Sequence, residues 1–242
     1  IGSRQSGSFA EYAVVPESNV FRFDDSVSFE MGALFEPSSV AAHALRCAGY
    51  IGGRRVAVIG CGTIGLLVLQ WARIFGAAGI TAVNRSRERL PLAARLGADH
   101  TVSTLDEDWM DQLMKLTDGK GYNYVFDCTG NVDSMKNAFR LAANKADICM
   151  VGTPKKDMSF TVQEWEQMNR KEFRLTGSWM SYSAPWPGEE WALTAHYFKT
   201  GQLIYDEAMI DRIMPLSRIA DAFELFKTPG TVKGKILIDS EK

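Results

Sequence analysis

The fold of this chain is decided by a ten-residue stretch, Val56-Ala57-Val58-Ile59-Gly60-Cys61-Gly62-Thr63-Ile64-Gly65. Its four apolar residues predict a buried strand, and its glycines have the Gly-x-Gly-x-x-Gly spacing of a strand-to-helix turn that binds a dinucleotide. The first glycine permits the tight turn, the second lets a pyrophosphate approach the backbone, and the third lets helix and strand pack closely. Amide groups at the helix N-terminus would hold the phosphates. The candidate cofactor-binding residues in this turn are Gly60, Gly62, Thr63, Ile64 and Gly65.

From the first predicted strand onward, apolar segments rich in β-branched residues alternate with amphipathic segments, a pattern typical of βαβ units. Strands are predicted at Val56–Ile59, Ile80–Val83, His100–Val102, Tyr124–Cys128, Ile148–Val151 and Leu175–Gly177. Helices are predicted at Ile64–Phe75, Glu88–Leu96, Glu107–Leu116, Val132–Ala142 and Val162–Asn169. This alternation predicts an α/β fold with a doubly wound parallel (Rossmann) sheet.

The segment before the glycine turn has a different pattern. Phe9–Val15 and Asn19–Phe23 predict two short strands of a small β unit. Ser28–Ala48 has a helical pattern that Pro37 interrupts, which places Glu36 at a helix break.

The segment after the predicted sheet becomes helical again. Helices are predicted near Glu190–Thr200 and Ser217–Lys227, and a terminal strand is predicted at Val232–Asp239. We expect this strand to rejoin the β unit that the first residues begin.

The end of the second predicted strand bears on the choice of cofactor. An acidic residue about 20 positions after the turn would accept hydrogen bonds from an adenosine ribose hydroxyl. Asn84 stands there instead, followed by Arg85 and Arg89. A neutral amide beside guanidinium groups suits a ribose 2′-phosphate, so the sequence favours NADP slightly over NAD. The alternative is that these arginines are surface charges of the next helix.

Small residues follow three other predicted strands, where a parallel sheet binds its ligands. Cys128 and Thr129 follow the fourth strand, Gly152 and Thr153 follow the fifth, and Ser178 follows the sixth. They are candidate cofactor-binding residues because they leave room for adenine and nicotinamide. The alternative is that they serve only as turn residues.

Composition excludes several functions. The 242 residues carry a formal net charge of −2, so nothing in the whole-chain charge attracts nucleic acid or a membrane surface. The four cysteines are widely spaced, which predicts free thiols in a reducing compartment, and we expect a cytoplasmic protein.

Five segments together resemble a known family. They are Gly7–Tyr12, Gly32–Pro37, the glycine turn, Leu96–Asp99 and Gly234–Leu237. In this order they resemble the zinc-dependent medium-chain alcohol and polyol dehydrogenases. The resemblance implies that the Rossmann domain is inserted in a GroES-like, β-rich catalytic domain. The implied boundaries are residues 1–38 for the first catalytic segment, 39–179 for the Rossmann domain and 180–242 for the return to the catalytic domain.

The resemblance also implies an activity, which is hydride transfer between a nicotinamide cofactor and a secondary alcohol, assisted by zinc. It implies a small polyol or polyol phosphate as substrate and a homodimer or homotetramer. Of the family's zinc-site residues, Glu36 alone has a match here. The family's catalytic cysteine and its Gly-His-Glu segment are absent, and we expect them to precede Ile1. The catalytic domain would then be incomplete, and the chain would bind cofactor better than it turns over substrate.

Three alternatives stay open at this point. Glu36 fits equally a charged residue at a helix break, since a catalytic zinc site typically needs three protein ligands. The whole protein could be a zinc-independent reductase of the same superfamily, or a module that binds NAD(P) without catalysis.

Overall fold

The computed structural model describes residues 6–181, 184–228 and 230–240. Within them the chain forms nine α-helices and eight strands. The helices are α1 (Phe29–Gly32), α2 (Phe35–Cys47), α3 (Thr63–Ile74), α4 (Leu90–Arg95), α5 (Trp109–Lys115), α6 (Val132–Leu141), α7 (Val162–Lys171), α8 (Gly188–Lys199) and α9 (Ile219–Lys227). The strands are β1 (Arg55–Ile59), β2 (Gly79–Asn84), β3 (His100–Ser103), β4 (Tyr122–Asp127), β5 (Ala142–Met150), β6 (Arg174–Gly177), β7 (Ile210–Pro215) and β8 (Lys235–Asp239).

The main sheet has six parallel strands in the order β3-β2-β1-β4-β5-β6. This order is that of the dinucleotide-binding doubly wound fold, and it confirms the predicted parallel sheet. β1 lies at its centre, where Val58 is in register with Ala82 on one side and Phe126 on the other. The direction of connection reverses between β1 and β4, so the loop after β1 opens at the switch point of the sheet.

Helix α3 is the element that carries the glycine turn into the core. Its residues from Leu66 to Leu69 and Trp71 are fully buried. The Trp71 indole Nε1 donates to the Ser38 carbonyl oxygen of α2 at 3.0 Å, so the buried indole N–H is satisfied. Packing on both β1 and α2 fixes the axis of α3, and its N-terminus therefore points at the carboxyl edge of the sheet.

The two strands predicted at Phe9–Val15 and Asn19–Phe23 are wrong. The described residues from 6 to 23 contain a short 3-10 turn at Glu17–Asn19 but no strand. The side chain of Val14 is 97% exposed. An alternating apolar segment becomes a strand only when another strand supplies backbone hydrogen bonds, and no neighbouring strand lies here among the described residues.

The helix break predicted at Pro37 is also wrong. Leu34 precedes the first residue of α2, so Glu36 and Pro37 both lie in its first turn. A proline there costs no hydrogen bond, because the N–H groups of a first turn have no partner within the helix. The break falls one turn earlier, between α1 and α2.

The last strand does not rejoin the first residues as predicted. β8 pairs in parallel with β7 and forms a separate two-stranded sheet. The rings of Phe9 in the N-terminal segment and Phe223 in α9 lie 6.1 Å apart, but no strand pairing joins the N-terminal segment to β8 among the described residues. The domain boundaries therefore remain predictions. No helix in the described segments is long and apolar enough to cross a membrane.

Candidate functional site

The turn between β1 and α3 requires glycine at two of its positions. Gly60 has φ +99°, and its N–H donates to the Val83 carbonyl oxygen of β2 at 2.7 Å. A Cβ on Gly60 would lie 2.6 Å from the Thr129 methyl group, and one on Gly65 would lie 1.8 Å from the Gly60 oxygen. The turn is therefore as tight as the sequence motif predicts, and α3 packs directly against it.

Gly62 differs from the other two glycines. An added Cβ would meet no atom within 4 Å, so the space beside Gly62 is open. Gly62 is also the N-cap of α3, and no side chain caps this helix end. Thr63 and Ile64 follow in the first turn and are half-buried. An open, uncapped helix N-terminus at the switch point fits an anion such as a pyrophosphate.

Asn84 and Arg89 hold the glycine turn from the end of β2. The Asn84 side-chain oxygen accepts the Cys61 N–H at 3.0 Å. The Arg89 guanidinium donates to the Cys61 carbonyl oxygen at 3.0 Å. Arg89 lies in a 3-10 turn, Arg87–Arg89, that precedes α4, so the helix predicted at Glu88–Leu96 begins two residues later, at Leu90. Arg89 is half-buried, which lowers its pKa, and it is not a plain surface charge.

A cleft of about 480 Å³ opens beside this turn at the carboxyl ends of β1, β2 and β4. Its wall includes four predicted site residues, Gly60, Asn84, Arg85 and Thr129. Asp133 on the first turn of α6 also lines it. In a doubly wound fold, this position beyond the glycine turn corresponds to the adenosine half of a dinucleotide.

Asp127 is a residue of this site that sequence analysis missed. Its carboxylate, at the end of β4, is fully buried. It accepts hydrogen bonds from the N–H groups of Thr129 and Gly130 at 3.0 and 3.1 Å and from the Ser134 hydroxyl at 2.6 Å. Burial raises its pKa, although these hydrogen bonds oppose the rise. The sequence feature that could have identified Asp127 is an acidic residue at the end of an apolar strand, directly before Cys128.

Backbone hydrogen bonds connect the ends of four strands. The Cys128 N–H donates to the Ile59 oxygen at 2.9 Å, the Gly152 N–H to the Asp127 oxygen at 2.9 Å, and the Ser178 N–H to the Met150 oxygen at 3.0 Å. The predicted site residues that follow β4, β5 and β6 are thereby arranged along one edge. Gly152 and Ser178 lie beyond the 480 Å³ cleft, on the side of β5 and β6.

The loops after β4 and β5 touch through glycine. A Cβ on Gly152 would lie 2.1 Å from the Gly130 nitrogen, and one on Gly130 would lie 2.3 Å from the Thr153 oxygen. This contact explains why Gly152 and Thr153 belong to the same edge as Thr129. Gly152 serves close packing between loops, which is a structural reason for its presence beside the predicted binding role.

Ser178 has a buried hydroxyl with no hydrogen-bond partner among the described residues. The residue is 9% exposed and follows β6 at the same edge. An unpaired buried hydroxyl is costly, so such a group in a ligand-binding edge fits a partner that a cofactor supplies. The open space at Gly62 and this hydroxyl are the two observations by which the site fits a dinucleotide.

The described residues do not form a metal site. No group of three or more His, Cys, Asp or Glu side chains among them could hold an ion. Glu36 is exposed in the first turn of α2. His43 lies elsewhere on that helix, with its Nδ1 3.0 Å from the buried Glu190 carboxylate of α8. The zinc role predicted for Glu36 therefore stays a prediction.

The fold and the site together define a class of protein. A parallel sheet of order 3-2-1-4-5-6 with a Gly-x-Gly-x-x-Gly turn at its switch point is a dinucleotide-binding fold. Residues 63–195 match the family model described as zinc-binding dehydrogenase. The chain belongs to this family, as the sequence motifs predicted.

Two curated relatives and one solved structure illustrate the similarity. The chain is 37% identical over 191 residues to galactitol 1-phosphate 5-dehydrogenase of Escherichia coli (strain K12), covering 79% of this chain and 55% of that protein. It is 29% identical over 242 residues to D-arabitol-phosphate dehydrogenase of Enterococcus avium, covering 99% of this chain and 66% of that one. The crystal structure of galactitol-1-phosphate dehydrogenase from Escherichia coli matches with a TM-score of 0.90 at 34% identity, covering 99% of this chain and 69% of that chain. The sequence match thus spans little more than half the length of the curated galactitol relative.

Proposed function

We propose that the chain supplies the cofactor-binding part of an NAD(P)-dependent dehydrogenase. The reaction is hydride transfer between the nicotinamide and a secondary alcohol of a sugar alcohol or its phosphate. The open N-terminus of α3 at Gly62, placed at the switch point of the sheet, is the observation that carries this proposal. Two relatives named for polyol phosphates support the substrate class. A cytoplasmic homodimer or homotetramer belongs to the same proposal.

The residues of this chain act by holding the cofactor. Amide groups at Gly62, Thr63 and Ile64 bind its pyrophosphate, while Asn84 and Arg89 keep the turn in place. The Ser178 hydroxyl, which follows β6 at the same edge of the sheet, gains a hydrogen-bond partner from the cofactor. A bound nicotinamide would supply its C4 as the hydride acceptor, so that an alcohol carbon could be oxidised to a ketone with the hydroxyl proton released to solvent.

The zinc site is part of the proposal for the whole protein. Since the described residues do not form a metal site, the proposed ligands come from outside them, with Glu36 as a candidate to join them. No step of the reaction is assigned to a metal held by this chain. The proposed domain division keeps residues 39–179 as the Rossmann domain and places residues 1–38 and 180–242 in a GroES-like catalytic domain.

The test is an isotope-transfer assay on the full-length protein. Galactitol 1-phosphate and D-arabitol phosphate, each carrying deuterium at the oxidised carbon, are incubated with NAD⁺ or NADP⁺. The proposal predicts deuterium at C4 of the reduced nicotinamide and one equivalent of ketone. Turnover that a zinc chelator leaves unchanged would favour the zinc-independent reductase. Tight cofactor binding without transfer from any polyol would favour the non-catalytic module.

A further inference from the structure

Three arginines follow β2, and two of them are engaged by other groups of this chain. The Arg87 guanidinium pairs with the Asp106 carboxylate at 2.5 Å. The Arg89 guanidinium donates to the Cys61 carbonyl oxygen and is half-buried behind the glycine turn. Neither guanidinium is therefore free for a ligand in the cleft.

Arg85 is the arginine that remains. It is exposed and lines the 480 Å³ cleft together with Asn84 and Thr104. No carboxylate in residues 6–181, 184–228 or 230–240 pairs with its guanidinium. Its backbone is fixed, because the Ser103 hydroxyl donates to the Arg85 carbonyl oxygen at 3.0 Å. The chain thus presents an unpaired guanidinium, carried on an anchored backbone, at the adenosine end of the cleft.

Asn84 removes the charge that would oppose an anion at this point. Its side-chain oxygen accepts from Cys61 N–H, and its Nδ2 donates to the Ser86 carbonyl oxygen at 2.9 Å. Both ends of the amide are thus engaged within the protein, and the side chain is neutral. The carboxylate that lines the cleft, Asp133, belongs to α6 after β4, whereas Arg85 follows β2 on the other side of β1.

We infer that the site selects NADP(H) over NAD(H) and that Arg85, alone of the three arginines, binds the 2′-phosphate. The inference rests on the proposed function, since it requires a dinucleotide in this cleft. A guanidinium forms paired, charge-assisted hydrogen bonds with a phosphate, and a neutral ribose hydroxyl cannot use them equally. Arg89 is a positioning residue that supports the glycine turn for either cofactor.

The test is calorimetric titration of the chain with NADPH and with NADH, and with adenosine 2′,5′-bisphosphate as a probe without nicotinamide. Arg85→Gln is compared with Arg87→Gln, the same substitution two residues away at a guanidinium paired outside the cleft. We expect wild type to bind NADPH about tenfold or more tightly than NADH. Arg85→Gln should weaken NADPH and the bisphosphate by about tenfold to a hundredfold and change NADH by less than about twofold. Arg87→Gln should change none of the three.

A second variant tests the same inference by changing the charge at position 84. Asn84→Asp keeps an oxygen for the Cys61 N–H and adds a negative charge, so the preference should move toward NADH. The inference is overturned if wild type binds NADH as tightly as NADPH, or if Arg85→Gln weakens both cofactors equally. Failure of wild type to bind either cofactor would overturn the proposed function itself, which distinguishes the two.

Discussion

At the scale of single residues, Asp127 shapes the edge of the cleft from inside the protein. Its carboxylate accepts from two backbone N–H groups and from the Ser134 hydroxyl without any exposure to solvent. These hydrogen bonds fix the backbone positions of Thr129 and Gly130. Thr129 lines the cleft, and its methyl group occupies the space where a side chain on Gly60 would begin. One buried carboxylate therefore positions both the loop after β4 and the wall beside the glycine turn.

Asp127→Asn should lower the free energy of unfolding by about 1–3 kcal/mol, because an amide nitrogen would face donors that now share a carboxylate. Dinucleotide affinity should fall with it. Urea unfolding and NADPH titration measure the two effects. Asp118→Asn is the matched control, since Asp118 is exposed, away from the cleft, and has φ 53°, which asparagine tolerates. Equal stability of wild type and Asp127→Asn would contradict the role given to this carboxylate.

At the scale of elements, the join between β1 and α3 depends on the absence of a side chain at Gly65. A Cβ there would lie 1.8 Å from the Gly60 carbonyl oxygen, so strand and helix would have to separate. Gly65→Ala should therefore reduce the free energy of unfolding by about 1–3 kcal/mol or more. Gly62→Ala adds its methyl group to open space and should stay within about 0.5 kcal/mol of wild type. Denaturant unfolding of both variants checks the contrast, which the reverse order of stabilities would refute.

The stabilisation of a second contact, between α3 and β2 through Asp99, should depend on pH. Asp99 accepts from Arg73 at 2.6 Å and from the Ile80 N–H at 2.7 Å. Partial burial acts to raise the pKa of Asp99, but these hydrogen bonds outweigh it and bring the pKa below the ordinary 3.8. A lowered native pKa means that the unfolded chain binds more protons near pH 3–4, so this stabilisation is present above about pH 4 and is lost as the pH falls through the native pKa.

Asp99→Asn should accordingly be less stable than wild type at pH 7, and the difference should shrink as the pH falls below 3.8. Urea unfolding of both proteins at a series of pH values from neutral to acid measures this difference. A difference that stays constant with pH, or grows in acid, would show that the ionised carboxylate is not what joins these elements.

The elements that the sequence predicts well are those with local signals. β1 and α3 combine an uninterrupted apolar run with the glycine spacing, and both are found within a residue of the predicted bounds. β7 was not predicted, because Asp211 and Arg212 interrupt its apolar residues and its pairing with β8 is made 20 or more residues away along the chain. Phe9–Val15 has a strand-like pattern, but the neighbour that a strand needs is a property of tertiary structure.

In the candidate site, too, local sequence signals could be predicted and tertiary contacts could not. The glycine turn and Asn84 could be read from spacing along the chain, since one βαβ unit contains them. Asp127 and the separate roles of Arg85 and Arg89 could not, because burial and the choice of partner depend on elements that meet only in the folded protein. The sequence places three arginines after β2, while the fold determines which guanidinium remains unpaired and faces the cleft.

At the scale of the whole molecule, the candidate site residues lie along one edge of the six-stranded sheet. The ends of β1, β2, β4, β5 and β6 meet there through backbone hydrogen bonds, and the N-terminus of α3 opens onto the same edge. The faces of the sheet are buried under helices, with the glycine turn between β1 and α3 left accessible at Gly62. The account as a whole depends on a pyrophosphate binding at that turn.

The most direct test is calorimetric titration of wild type, Gly62→Ala and Gly79→Ala with ADP-ribose, which carries the pyrophosphate without the nicotinamide. Gly79 begins β2 at the opposite edge, where an added Cβ would make only an ordinary 3.9 Å contact with Asp99. The account predicts that Gly62→Ala binds at least about tenfold more weakly than wild type, a loss of roughly 1.4 kcal/mol, and that Gly79→Ala binds as wild type does. Equal affinity of Gly62→Ala and wild type would contradict the account.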